Sequence, residues 1–166
     1  MPEEKKSYFT VEEMCVSGSY PKLATIPPEN SIQRANIHYT IDRLNVIREK
    51  WGGPIIVTSG YRPEKLNKAV GGSATSAHLT GMAADIHPKY GNILLLAQTI
   101  IESGVDFDQL ILEKITKDKN GYITTCQWLH VGFARKNPRK QILCYDGKSY
   151  RPMRITKEMR FRDKDL

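Results

Sequence analysis

Apolar residues recur along this chain with two different periods. Between Ile32 and Trp51 they fall at Ile37, Ile41, Leu44 and Trp51, steps of four, three and seven that line up on one helical face. The pattern predicts a long helix over residues 32–51, with Asn30 and Gln33 resembling a capping box and Gly52-Gly53 as its stop. A second helix is predicted from Ile93 to Ser103, rich in Leu and Ile and ended by Gly104. Short helices are expected from Phe9 to Met14 and over 64–69, the latter opened by Pro63 as a first helical residue. Residues 17–30, with Gly18, Pro21, Pro27 and Pro28, are expected to be a loop. Elsewhere, short apolar runs between turn residues predict strands: Ile55–Val57, Met82–Ile86, Asp108–Glu113, Ile123–Phe133, Gln141–Tyr145 and Ser149-Tyr150. Asn120-Gly121 and Asp146-Gly147 mark hairpins between the late strands. Helices come early and hairpin strands late, so the expected class is α+β, an antiparallel sheet with helices packed on it.

At 166 residues the chain is long enough for one domain with its own core, without disulfide staples. Residues 1–8 are expected to be a disordered N-terminus, 9–150 the folded domain and 151–166 a basic C-terminal tail. Charge sharpens that division. Residues 1–133 carry 14 basic and 14 acidic side chains, whereas 134–166 carry 11 basic and 4 acidic, the source of the net +7. Such an end favours an anionic partner or is simply solvated, and no recognised motif beside it indicates a dedicated nucleic-acid site. Cys15, Cys126 and Cys144 are widely spaced and odd in number, which reads as reduced thiols. No apolar run is long enough for a membrane span, and the first residues carry no secretory signal. A monomer synthesised in the cytoplasm is therefore expected, with any outside target reached by release or delivery.

The chemistry concentrates around histidines. Of the four, His38 sits inside the long helix and reads as structural. His78 leads through Gly81 and small residues to Asp85, which is flanked by Ala83, Ala84 and Ile86. A carboxylate among such neighbours is costly to bury without a cation or a donor. His130 lies in another apolar strand, Trp128–Phe133. Two imidazoles and a carboxylate suit catalytic zinc with one open position, although a hydrogen-bonded core His–Asp pair would account for part of the pattern. His87, two residues after Asp85, shares its face in a regular strand and is an alternative ligand, a transition-state donor or a structural residue.

Ser59-Gly60-Tyr61-Arg62, Asn67, Val70-Gly71-Gly72, Ser76-x-His78-x-x-Gly81-x-Ala83-Ala84-Asp85-Ile86 and Trp128-x-His130-Val131 follow one another in this order. Together they resemble the D-alanyl-D-alanine carboxypeptidase family of zinc peptidases, nearest to its phage-type branch, over roughly Tyr8 to Phe133. The resemblance implies a Hedgehog/D-Ala-D-Ala-peptidase-like fold and hydrolysis of the stem peptides of bacterial peptidoglycan, by a carboxypeptidase or an endopeptidase such as a lysin. It implies Zn2+ held by His78, Asp85 and His130. It also implies a substrate-binding and catalytic Arg62, whose guanidinium suits an oxyanion, and a substrate-contacting Ser76.

One position departs from that family. Many members carry Glu or Asp three residues before the last histidine as general base, and here Gln127 stands there, an amide that cannot take a proton. Gln127 is left as a substrate contact. Glu113 becomes the candidate base, since it ends a strand that comes beside Gln127 if 108–113 pairs antiparallel with 127–133. Asp108, at the other end of that strand, is the weaker rival. A non-catalytic wall-binding or virion module of the same fold is the alternative that Gln127 raises.

Overall fold

The computed structural model describes residues 6–159, and the statements below concern these. Helix α1 spans Ile32–Trp51, as its periodicity predicts. Its cap is Ser31 rather than Asn30. The extended residue just before the first turn is the one whose side chain can reach back, and Ser31 Oγ accepts from the Arg34 N–H at 3.1 Å. Gly52 closes the helix at φ +79, its N–H bonded to the Arg48 carbonyl. Helix α2 is Glu64–Ala69, with Pro63 its extended N-cap instead of its first helical residue. Helix α3 is Ile93–Glu102, capped by the Asn92 side chain. The segment from Phe9 to Met14 yields only a 3-10 turn at Glu13–Cys15.

Eight strands follow the chain: β1 Ile55–Ser59, β2 Ala83–Pro88, β3 Phe107–Glu113, β4 Thr116–Lys117, β5 Ile123–Thr125, β6 Trp128–Phe133, β7 Gln141–Tyr145 and β8 Tyr150–Pro152. Six form one sheet in the order β1-β2-β6-β3-β7-β8, while β4 and β5 pair with each other. The molecule is thus a mixed α+β structure. The predicted long strand Ile123–Phe133 divides in two. Lys114, at φ +53, turns the chain out of β3, so β4 and β5 make a separate ribbon around the Asn120-Gly121 turn before β6 rejoins β3. The sheet is also not wholly antiparallel. Residues 134–140 reverse the chain after β6 but carry it to the far side of β3, so β7 runs parallel to β3.

Side-chain alternation then divides the sheet into two faces. Leu110, Leu112, Leu129, Val131, Ala84 and Ile86 enter the core together with Ile37, Ile41 and Leu44 of α1 and Leu96, Ala97 and Ile100 of α3. The opposite face carries Asp85, His130, Ile111, Glu113 and Trp128, which line an open cleft.

Tyr8 donates its N–H to Asn45 and its hydroxyl to Glu49. Residues 151 and 152 belong to β8, and Met153, Ile155 and Met159 pack on the core. Gln98 of α3 donates to the Thr156 and Met159 carbonyls. The remainder of the two predicted ends, residues 1–5 and 160–166, lies outside the described residues. All three cysteines are free thiols, and burial pushes Cys15 up to about 11 and Cys126 up to about 12. Among the described residues no helix is long and apolar enough to cross a membrane.

Candidate metal centre and cleft

His78 stands on a 3-10 turn, Ala77–Thr80, that four features pin in place. Ser76 caps it, its Oγ accepting from the His78 N–H. Gly81 ends it at φ +81, and a Cβ there would sit 3.0 Å from the Gln33 carbonyl oxygen and from Ile37 of α1. Only glycine takes that conformation and that spacing without cost. Two buried polar residues of α1 complete the anchorage: Thr40 donates to the Gly81 carbonyl at 2.7 Å and Asn36 to the Thr80 carbonyl at 3.0 Å. These bonds explain why the buried stripe of α1 is not wholly apolar.

Asp85 and His130 are cross-strand partners on β2 and β6. His78 Nε2, Asp85 Oδ1 and His130 Nδ1 form a triangle with all three sides 3.2 Å. Its protons can be counted. His78 Nδ1 lies 2.7 Å from the Gly60 carbonyl, a pure acceptor, so Nδ1 carries the ring proton. Burial lowers the His78 pKa, which keeps the ring neutral and leaves Nε2 as a lone pair. Burial pushes the Asp85 carboxyl up, but its contacts with His78 and His130 outweigh burial and hold it ionised, below the usual carboxylate range. The three ligand-type atoms therefore converge with no proton from His78 between them. A cation at that point would meet all three atoms at once. The size also fits: ligand distances of about 2.0–2.1 Å around a tetrahedral zinc place donor atoms about 3.3 Å apart. His78, Asp85 and His130 could therefore hold a metal ion.

Arg62 braces this group. Its backbone N–H donates to the His78 carbonyl, and its guanidinium contacts Ser59 Oγ at 3.0 Å, Asn67 Oδ1 at 3.1 Å and Asp85 Oδ2 at 3.4 Å. Burial lowers the Arg62 pKa, opposed by Asp85. Arg62 and Ser76 both line the cleft, which has a volume of about 810 Å³.

Glu113 faces the same cleft, with only 8 % of its surface exposed. It pairs across the strands with Trp128, not Gln127, whose backbone N–H instead donates to the Glu113 carbonyl. Burial raises the Glu113 pKa to about 7, against the pull of His130. Asp108 also borders the cleft but is held by Arg139, through its N–H and guanidinium, which keeps its carboxyl below the usual range.

Two predicted site residues stand apart. Gln127 is exposed, precedes β6 and is not among the residues lining the cleft, because β6 begins one residue later with Trp128 turned inward. His87 lies toward the end of β2, paired with Ile56 of β1, and is not part of the metal-holding group among the described residues. Gly60 belongs to the quoted Ser59–Arg62 motif, but sequence alone gives it no role. A Cβ there would sit 2.4 Å from the Met14 carbonyl oxygen, so the carbonyl that orients His78 is available only with glycine in place. Gly60→Ala is expected to destabilise the fold by about 1–3 kcal/mol through overpacking and to weaken metal binding. Thermal denaturation with zinc titration checks both effects.

Residues 7–132 match the family model described as peptidase M15. Comparison with curated proteins gives no match. The matched span takes in the metal-holding triad, Arg62 and Glu113, and the chain belongs to the peptidase M15 family of zinc peptidases.

Proposed function

We propose that this protein is a zinc metallopeptidase that hydrolyses the stem peptides of bacterial peptidoglycan, as a carboxypeptidase or endopeptidase of the phage-lysin type on a Hedgehog-like fold. It would be made in the cytoplasm, reach the wall by release or delivery, and act as a monomer. The observation that carries the catalytic reading is a buried carboxylate, Glu113, opening on the same cleft as three converging metal-ligand atoms. A zinc ion on His78, Asp85 and His130 would supply Lewis acidity, polarising a peptide carbonyl and bringing the pKa of water toward about 7.

The remaining chemistry belongs to the chain. Glu113 takes the proton of the attacking water and returns it to the amine as the peptide bond breaks. Across a strand pair, diagonal neighbours such as Glu113 and His130 have Cβ atoms about 7–8 Å apart, room enough for one water between the two side chains. Arg62, fixed by Ser59, Asn67 and Asp85, donates to the substrate oxygen on which negative charge builds. Ser76 holds the turn of His78 and contacts substrate at the rim. Gln127 would leave catalysis untouched from its exposed position, which favours the peptidase over a non-catalytic wall-binding module.

The test is digestion of purified peptidoglycan by the zinc-loaded protein, with mass spectrometry of the fragments. New peptide termini are expected with the native chain and none with His130→Ala. Intact walls in the presence of bound zinc would instead support the binding module.

A further inference from the structure

The strand of His130 and the turn of His78 are joined by a second route, through α1. β6 ends at Phe133, whose N–H donates to the Met82 carbonyl at 2.8 Å. Two residues further on, Arg135 reaches α1. Its Nε and one terminal nitrogen, Nη2, both donate to Asn36 Oδ1, at 3.1 and 3.0 Å, and Nη2 lies 3.4 Å from the Ala35 carbonyl oxygen. The guanidinium also stands over the ring of Tyr39, 4.6 Å from its centroid, a cation–π contact that restrains the fork. Asn36 carries the connection onward. Its Nδ2 donates at 3.0 Å to the carbonyl of Thr80, in the turn that bears His78. The route therefore reads His130, Arg135, Asn36, Thr80, His78. Arg135, Asn36 and Thr80 are not among the residues that line the cleft.

Polarity gives this link a direction. A guanidinium only donates and a carbonyl only accepts, so the Asn36 amide has one end matched to each. Arg135 holds Oδ1 on its own side, which aims the amide N–H at Thr80. Asn36 is buried, and a buried amide costs free energy unless both ends are bonded. The companion anchor, Thr40 on the Gly81 carbonyl, needs no third partner. Asn36 differs in taking its orientation from another element.

Arg135 is also used differently from its neighbours. Arg139 and Lys140 pair with Asp108 and Asp106, whereas Arg135 has no acidic partner among the described residues. It acts as a hydrogen-bonding fork on an amide, a geometry that depends on the planar guanidinium rather than on charge alone. Arg135 lies beyond residues 7–132, so this contact is supplied by a part of the chain outside the family match.

We propose that Arg135 is a positioning residue for the metal centre. By orienting Asn36 it fixes the turn of His78 against the strand of His130, and so helps to set the 3.2 Å separation of His78 Nε2 and His130 Nδ1. This rests on the metal-centre reading above and is independent of which bond is cut.

The test uses the full chain and needs no turnover. The Kd for Zn2+ is measured by competition with a chromophoric chelator, and the visible absorption of the Co2+-loaded chain reports the geometry of the site. The chains compared are native, Arg135→Met, Asn36→Ala, the double variant and Lys140→Met. Methionine removes the fork but keeps an apolar stem. Lys140→Met breaks a different surface pair in the same segment. Arg135 is exposed, so its variant should stay folded, and circular dichroism below the unfolding midpoint verifies each chain.

Arg135→Met and Asn36→Ala are each expected to weaken Zn2+ binding about tenfold, the low end for groups that orient metal ligands, and to alter the Co2+ absorption. The double variant should be no weaker than Asn36→Ala, the sign that one residue acts through the other. Lys140→Met should keep native affinity and spectrum. Native affinity in Arg135→Met overturns the proposal. So does an equal loss in Lys140→Met, since any loosening of residues 134–140 would then suffice. Losses that add in the double variant overturn it too, because Arg135 would not act through Asn36. A native chain that binds neither Zn2+ nor Co2+ overturns the metal centre itself and the proposal with it. Zn2+ binding that depends on Arg135, with walls left uncut, retains the proposal and rejects the peptidase.

Discussion

Glu113→Gln is expected to lower kcat by about 10²–10⁴-fold, the usual contribution of a general base, while zinc content stays at one per chain. The amide has nearly the shape of the carboxylate but cannot take a proton. It does not belong to the triad, so the metal should remain. Gln127→Glu in the same background is expected to restore nothing, because that position is exposed and does not line the cleft. Full turnover by Glu113→Gln would remove Glu113 from the mechanism.

The pH profile carries the same assignment with a definite sign. The ionised form of Glu113 is the active one, so kcat/KM falls as pH drops through its pKa, about 7 without metal. A bound cation favours the ionised form and moves this limb lower. The limb should therefore lie at or below about pH 7 and vanish in the residual activity of Glu113→Gln. Stability of the metal-free chain runs the other way. A folded pKa raised from 4.5 to about 7 gives stabilisation that is present below 4.5 and is lost as pH rises through 7.

Zinc is expected to raise the thermal midpoint substantially. At a free concentration about 1,000 times its Kd, a ligand that binds only the folded state adds about 4 kcal/mol, and for a chain of this size each kcal/mol moves the midpoint about 2–4 °C. A shift of about 8–16 °C follows. His130→Ala should abolish it, since two remaining ligands no longer define a site. The rise should also fade under acid, because protons compete for the imidazoles that must be neutral to bind metal. A native chain whose midpoint ignores zinc, at micromolar and millimolar concentrations alike, would refute the metal centre.

Much of this arrangement was legible in residue order. The bounds of α1 follow from helical periodicity and Gly52, both local properties of the backbone and side chains. His78, Asp85 and His130 stood out because polar, metal-binding residue types sit in otherwise apolar segments, a cost that demands compensation wherever the chain places them. Glu113 was reachable from strand pairing, although the structure moves its partner from Gln127 to Trp128. Strand ends depend on where a backbone such as that of Lys114 turns, and a one-residue change in pairing reverses which side chain faces the cleft.

The sequence by itself determined the three α-helices, the α+β class and three residues that could hold a metal, since each depends on local spacing and on the chemistry of side-chain types. Tertiary structure alone decided the rest. The parallel β3–β7 pair, the close approach of Gly60 to Met14 and the bracing of Asp85 by Arg62 all join residues distant in the chain. Such contacts are set by how elements pack and in what register they pair, and no local pattern encodes that distance.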